Sequence, residues 1–481
     1  MSDGNKGNGN SGKTRVAIIG GGPGGYAAAF KAADMGLAVT LIDLNPNPGG
    51  VCLYRGCIPS KTLLHVAKIL TEARDAEHWG IKFSKPRMDL GKLRESKDAV
   101  VEKLTGGLGQ LGKARNITYL QGRAYFEESK RIRITDDAGK ETFIDTDYTI
   151  IAAGSRPARL PNVLIESERL MDSTNALDIP EIPKTLLVVG GGYIGLELGS
   201  VYAALGSKVT VVEMAPQLLP GGDADLVRIL HEQIDGRMES ILLSTKVADL
   251  KETKDGIQVT LQSEGAKPRT KVFEKVLVSV GRRPNSSGLG LANTTVEVDE
   301  KGFIKVDEQR RTTDASVFAI GDVCGEPMLA HKASHEGRVA AEVIAGTNVA
   351  FEPSAIPAVV FTDPELAWCG VTESEAKKKG LPIKVSRFPW GASGRATTLN
   401  RSDGLTKLIT DAQTGQLLGM GVVGPGAGEL IAEGVLAIEM GATATDIGLS
   451  IHPHPTLSET VMETADMIFG HATHIYRPGK S

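Results

Sequence analysis

Two cysteines five positions apart are the residues best placed to do chemistry in this chain. Cys52 and Cys57 lie in "GGVCLYRGCIPSKTLLH" (Gly49–His65), and the 481 residues contain only four cysteines. So few cannot staple a chain of this length, which excludes a secreted disulfide scaffold and points a close pair toward redox or catalytic use. In a regular helix, residues five apart have Cα atoms roughly 8–9 Å apart, whereas a disulfide requires less than ~7 Å. A bridge here therefore needs a distorted backbone, which Gly56 and Pro59 permit. Closing so small a loop constrains little unfolded-state entropy; a strained, accessible bridge instead exchanges readily with thiols. Two unrelated buried cysteines are the other reading. Zinc is disfavoured, because no second Cys/His pair with ligand spacing lies near.

Thiol exchange needs a base. His65 falls on the helical face after Lys61 and reads as a packing or surface residue. His454, in "HPHPTLSETV", is the better candidate: Glu459, five residues on, can fold back and hold its imidazole in one tautomer. His452 and His454 alternate around Pro453, so an extended segment points them the same way. On its own, such a His–Glu pair is more often a surface contact.

The elements around these residues come in two copies. "RVAIIGGGPGGYAAAFKAADMGLAVTLID" and "TLLVVGGGYIGLELGSVYAALGSKVTVVE" share one register: Gly20, Gly22, Gly25, Gly36 and Asp43 answer to Gly190, Gly192, Gly195, Gly206 and Glu213. Each reads as strand, glycine loop, helix, strand. The first glycine permits the turn, the second admits a pyrophosphate to the backbone, and the third lets helix and strand pack closely. The phosphates meet the positive end of the helix, and the closing acid accepts from a ribose hydroxyl. Glu213, with no arginine nearby, favours NAD over NADP. Two such units imply two dinucleotides, or one dinucleotide and a flavin. "TIIAAGSRP", "VLVSVGRRPN" and "TTDASVFAIGDV" favour the flavin, with Asp322 placed at a strand end to bind a polyol such as ribityl. The second unit thus reads as inserted into the first domain, which resumes near Pro284.

Composition narrows the class. A net charge of -4 and no dense Lys/Arg block give no reason to expect a nucleic acid. No apolar run approaches the ~18 residues of a membrane span. "MSDGNKGNGNSGKTR" reads as a polar disordered tail (1–13), not a signal peptide, which leaves the cytoplasm as the expected location.

"GGVCLYRGCIPSK" after a glycine-rich unit, with "GGGYIGLELGSVYAALGSKVTVVE" and "AIGDV", resembles the flavoprotein disulfide reductases, the pyridine nucleotide-disulfide oxidoreductase family. The resemblance covers nearly the whole chain after the tail. "CIPSK", "MLAHKASHEG" (Met328–Gly337) and "HPHPTLSE" (His452–Glu459) are most similar to the branch that oxidises dihydrolipoamide. The resemblance implies an α/β chain: an FAD domain (14–155 and 284–350), an inserted NAD domain (156–283), both Rossmann-like, and a C-terminal α+β dimerisation domain (351–481).

It also implies roles. Cys52 and Cys57 form a redox disulfide, and His454 and Glu459 are a base dyad that enters the site of the partner in a homodimer. FAD is held by Gly20, Gly22, Gly25, Asp43, Lys61, Gly154, Asp322 and Ala330. NAD is held by Gly190, Gly192, Gly195, Glu197, Glu213 and Gly281, and Lys61 pairs with Glu197 near the flavin. No metal is implied. The reaction would oxidise dihydrolipoamide carried by a lipoyl-bearing acyltransferase or a glycine cleavage carrier protein, with NAD+ as acceptor.

Two departures stand out: Tyr54-Arg55 replaces the common Asn-Val between the cysteines, and Ala153 stands where threonine is usual. A mercuric reductase would resemble a chain with a further cysteine pair near its C-terminus; none follows Cys369. A glutathione-type reductase would carry a basic patch in place of Glu213. A redox-silent NAD-binding sensor is the reading from another class. Cys324 and Cys369 read as buried small hydrophobes.

Overall fold

The computed structural model describes residues 12–160 and 165–476, so most of the tail expected over 1–13 lies outside the described residues. The α-helices are α1 (Pro23–Asp34), α2 (Gly50–Arg55), α3 (Cys57–Asp75), α4 (Leu90–Ala114), α5 (Tyr193–Leu205), α6 (Ala224–Asp235), α7 (Ala330–Ile344), α8 (Glu373–Lys379), α9 (Gly394–Thr398), α10 (Ala427–Glu439), α11 (Ala444–Leu449) and α12 (Glu459–Asp466). The chain divides into two compact units. One holds the chain up to Pro59 with Gly91–Ala158 and Arg282–Glu352; the other holds Ser60–Leu90, Arg159–Gly281 and Pro353–Ser481.

The first unit is built on a parallel sheet in the order Val317–Ala319, Tyr148–Ile151, Arg15–Ile19, Ala38–Asp43, Thr118–Gln121. Its central strand, "RVAII", is buried at every position after Arg15, as a strand covered on both faces must be. One cover is α1 with α7, whose buried Ala28, Ala29, Ala32, Ala340 and Ala341 let the helices lie close. The other is an antiparallel sheet of Arg123–Glu128, Arg131–Thr135 and Glu141–Asp145, which contributes Phe126, Ile132 and Ile134 to a core with Ala17, Ile19 and Ile42.

The second unit repeats the plan. Its parallel sheet runs Ser240–Leu242, Lys208–Val212, Thr185–Val189, Lys275–Val278, Leu170–Met171. The glycine-bearing strand is again central and pairs in parallel with the strand that leads to the acid: Ile19 stands opposite Ile42, and Val189 opposite Val212. A three-stranded antiparallel sheet (Thr245–Thr253, Gly256–Ser263, Arg269–Phe273) covers it through Ile257, Val259 and Phe273. The same unit carries a five-stranded antiparallel sheet ordered Ala358–Val360, Glu365–Gly370, Leu417–Gly424, Leu405–Asp411, Ile383–Pro389. Its core centres on fully buried Trp390, whose indole donates to Thr406 Oγ1 at 2.9 Å. Ile431 and Ile438 of α10 and Val461 and Ala465 of α12 close over it. The fold is therefore α/β with two Rossmann-like sheets and a C-terminal α+β layer.

Candidate active site

The two glycine loops separate glycines that the chain itself requires from glycines that border open space. A Cβ on Gly20 would stand 2.2 Å from the Ala152 carbonyl oxygen, and one on Gly25 1.8 Å from that of Gly20. Gly190 and Gly195 repeat this, with Ser279 O at 2.5 Å and Gly190 O at 2.2 Å. A Cβ on Gly192 would meet nothing within 4 Å, and one on Gly22 only the Gly50 Cα at 3.9 Å. The middle glycines thus border space that a side chain would fill and a pyrophosphate requires, at the first turns of α5 and α1. The acids lie where the spacing put them. Asp43 Oδ2 accepts from Gly21 N at 2.5 Å, and Glu213 Oε2 accepts from Gly191 N at 2.6 Å. Each carboxylate braces the loop and keeps lone pairs for ribose hydroxyls. Both loops fit a dinucleotide.

Asp322 follows the strand Val317–Ala319 in a short 3-10 turn. Ser155 Oγ donates to Asp322 Oδ2 at 2.5 Å and accepts from Arg282 Nε at 2.7 Å, so the acid is oriented by two residues of the ribbon that pairs Ser155–Pro157 with Arg282–Pro284. Gly154, beside Ser155, has φ +67, and its carbonyl accepts from Asn285 N. Below the turn, fully buried Glu336 accepts from Gly321 N at 2.6 Å and pairs with Arg310 at 3.0 Å and Lys332 at 2.9 Å. Ala330 opens α7, four residues before Ser334, whose hydroxyl donates to the Pro23 carbonyl. Sequence reasoning missed Ser155, Arg282 and Glu336. The first two sit in the quoted "GSRP" and "GRRP" runs and the third in "MLAHKASHEG", but nothing local says that they converge on the turn of Asp322.

The distortion required between the cysteines is present. α2 ends at Gly56, with φ -150 and ψ -115, and α3 begins at Cys57. A Cβ at Gly56 would stand 2.8 Å from Val51 O and 3.3 Å from Cys52 Cα, so only glycine lets the chain fold back on α2 here. Cys52 is half-buried and Cys57 exposed. Tyr26 of α1 lies near both: burial first, and then negative charge on Cys52 and Cys57, raises its phenol above the ordinary value.

In the second unit, Lys61 Nζ lies 2.7 Å from Glu197 Oε2, and the other oxygen of Glu197 accepts from Phe361 N at 3.0 Å. Lys61 also stands 4.6 Å over the Phe361 ring. Gly281 has φ +109, which suits glycine, and a Cβ there would meet nothing within 4 Å. His454 Nδ1 meets Glu459 Oε1 at 2.8 Å, while Glu459 Oε2 accepts from Thr456 N at 2.8 Å. Burial raises the Glu459 carboxyl, but the Thr456 amide and His454, with His474 nearby, outweigh it and hold the group below the usual range. The imidazole is 73% exposed, with its tautomer set by the carboxylate.

His452 corrects an expectation. It does not point with His454 but turns inward, with Nε2 at 2.8 Å from Glu433 and Nδ1 at 2.8 Å from the Ser450 carbonyl. A buried polar ring needs partners for both nitrogens, and Glu433 of α10 together with the Ser450 carbonyl wins over simple alternation. His65 is exposed. Cys369 is buried, which pushes its thiol up to about 12, whereas Cys324 is only half-buried by surface area although burial also raises its thiol strongly. Among the described residues, Asp223, Asp225 and Glu373 approach closely enough to hold a cation. The ammonium of buried Lys407 fills that position, 2.8 Å from Asp223 and 3.1 Å from Asp225.

Residues 14–337 match the pyridine nucleotide-disulphide oxidoreductase family, and residues 356–465 match its dimerisation domain. The chain belongs to that family. Its members' cofactors are therefore this chain's: FAD, with NAD(H) as the pyridine nucleotide. The chain is 49% identical to a dihydrolipoyl dehydrogenase of Haemophilus influenzae over 96% of both chains. It is 47% identical to one of Thermus scotoductus over 96% of this chain and 98% of that one. Among solved structures, LpdA from Mycobacterium tuberculosis superposes with a TM-score of 0.88 at 28% identity, over 95% of this chain and 99% of the other. This family member is thus a flavoprotein disulfide oxidoreductase. Among its described residues, no helix is long and apolar enough to cross a membrane.

Proposed function

We propose that this enzyme oxidises dihydrolipoamide to lipoamide with NAD+, using Cys52 and Cys57 as its redox disulfide and His454 as its base. The observation that supports this above the others is the His454–Glu459 pair at 2.8 Å, exposed and tautomer-fixed within the dimerisation domain. A reductase of a small disulfide would use the same pair as an acid, and Glu213, whose carboxylate would repel a 2′-phosphate, favours NAD+ over the NADPH that such a reductase takes.

His454 takes the proton of one substrate thiol, and the thiolate attacks Cys52 Sγ. The Cys52–Cys57 bond breaks as the mixed disulfide forms, and the electron pair leaves on Cys57. His454 gives its proton to solvent and takes that of the second substrate thiol, whose thiolate attacks the substrate sulfur of the mixed disulfide. Lipoamide closes, and Cys52 is released as a thiolate. Cys57 opens α3, whose positive end favours the thiolate. FAD, when bound, supplies the two-electron acceptor through which the bridge re-forms and NAD+ gains its hydride. Gly20, Gly22, Gly25, Asp43, Gly154, Asp322 and Ala330 would hold it, and Lys61, which the resemblance adds to them, is braced by Glu197. Gly190, Gly192, Gly195, Glu213 and Gly281 hold NAD+.

The working form is a homodimer in the cytoplasm in which each base serves its partner's cysteines. The dihydrolipoamide is carried by a lipoyl-bearing acyltransferase or a glycine cleavage carrier protein. Turnover of dihydrolipoamide with NAD+ should exceed turnover of glutathione disulfide with NADPH, and of mercuric ion with NADPH, by orders of magnitude. Comparable or greater rates with either NADPH pair would overturn the assignment.

A further inference from the structure

Phe361 is 36% exposed, so burial alone does not account for its ring. It follows the strand Ala358–Val360, in the turn that leads to the strand Glu365–Gly370. That turn is clamped from two sides. The Asp363 carboxylate accepts from Arg237 Nη1 at 2.9 Å and from Arg401 Nη1 at 2.7 Å, and Arg237 Nη1 also donates to the Asp363 carbonyl at 2.8 Å. Burial opposes ionisation of Asp363, but Arg401 and Arg237 outweigh it and hold the carboxyl below its usual range. Thr362 Oγ1 closes the turn by donating to the Pro364 carbonyl at 2.8 Å. The turn presents both polar backbone and ring of Phe361 to one ion pair. Its amide donates to Glu197 Oε1 at 3.0 Å, and its ring centre lies 4.6 Å from Lys61 Nζ, which is 2.7 Å from Glu197 Oε2. The Glu197 carboxylate is buried and so needs partners; the Phe361 amide is one of the two. The ammonium of Lys61, whose side chain is 32% exposed, sits between that carboxylate and a ring face that attracts cations. Cys57 and Lys61 stand four residues apart in the first turns of α3, the spacing at which two side chains share a helix face.

We propose that Phe361 is a positioning residue of the redox site: its ring and amide fix the ammonium of Lys61, and through it steady the thiolate that forms on Cys57. The proposal rests on the reading of Cys57 as the leaving thiolate. In the dithiol step the substrate thiolate bonds to Cys52 Sγ, the Cys52–Cys57 bond breaks, and its electron pair goes to Cys57. A cation held on the same helix face stabilises that charge as it develops, with no side chain left to reorient during the step. Leucine at this position would keep the amide to Glu197 and most of the apolar bulk. It offers no ring face, so the long Lys61 side chain regains rotamers that turn it toward water.

Two readouts on the holoenzyme test this. Acetylation of Lys61 by acetic anhydride, measured by mass spectrometry against that of exposed Lys246, reads how well the ammonium is held. Phe361→Leu should raise that ratio about fivefold, the scale of one partly exposed contact between a cation and a ring, and Phe361→Tyr should leave it near wild type. Anaerobic stopped-flow reduction of the flavin by dihydrolipoamide reads the consequence. Phe361→Leu should slow it by a similar factor, about fivefold, whereas Phe361→Tyr, which keeps the ring, should not. The slowing should vanish in a background of Lys61→Met with Glu197→Gln, which removes both charges and strands neither. A general loosening of the fold would slow reduction equally in both backgrounds. An unchanged labelling ratio, an unchanged rate, or a slowing that persists without Lys61 would each overturn the proposal. Failure of the functional reading looks different: dihydrolipoamide then reduces the flavin of neither wild type nor variants while Lys61 labelling still responds to Phe361→Leu, and the proposal falls with that reading.

Discussion

Cys52 and Cys57 are unequal before any substrate arrives, because one is half-buried in α2 and the other exposed at the head of α3. Exposure alone does not choose between them; the proposed cycle gives the leaving thiolate to Cys57, at the positive head of α3, and the exchange with substrate to Cys52. Cys52→Ser holoenzyme should keep a long-wavelength absorbance from the Cys57 thiolate beside the flavin, and Cys57→Ser should lose it; the opposite pattern would exchange the roles. His454→Gln should slow the dithiol half-reaction by about 10²–10⁴ while NADH-to-dye electron transfer stays near wild type. Equal slowing of both would remove His454 from the proton transfer. The contact between His454 and Glu459 was readable in sequence because Glu459 follows closely enough to fold back, whereas its reading as a base dyad came from the resemblance. The inward turn of His452 was not readable, because Glu433 belongs to another helix.

Helices and sheets bring in partners that no local window contains. Lys407 of the strand Leu405–Asp411 is about as buried as Trp390, and it meets Asp223 and Asp225 at the start of α6 and Glu373 at the start of α8. Arg387 joins Asp225 and Glu373 from the neighbouring strand. Removing one member strands the others: Lys407→Met should lower the thermal midpoint, with a cost of about 3–5 kcal/mol for a broken buried pair. A midpoint within one degree of wild type would mean that water already screens the cluster. The sign of the pH effect follows from Asp225. Burial opposes its ionised form, but Arg387 and Lys407 outweigh burial and hold its carboxyl below the usual range. Its contribution is therefore fully present above about pH 4 and is lost as pH falls through the lowered folded value. In Lys407→Met, that acid-side loss of stability should be smaller than in wild type.

For the whole molecule, the repeated strand–loop–helix–strand unit was legible because the glycine spacing is fixed by backbone contacts, such as Gly25 against Gly20, that lie within a few residues of each other. The seat of Asp322 was not, because Ser155 and Arg282 come to it from positions far along the chain. Periodicity records faces, not partners. The largest step beyond the single chain is the sharing of sites between protomers, and that can be tested without a structure of the dimer. Cys52→Ser and His454→Gln each inactivate every site of their own homodimer. If each base serves its partner's cysteines, a heterodimer of the two has one site with intact Cys52, Cys57 and His454 and one that lacks both. Unfolding and refolding an equal mixture should therefore restore roughly a quarter of wild-type turnover, since random pairing makes half the dimers mixed and each mixed dimer has one working site. If the base acted within its own chain, every site in the mixture would still lack one group, and the mixture would stay as inactive as its parents.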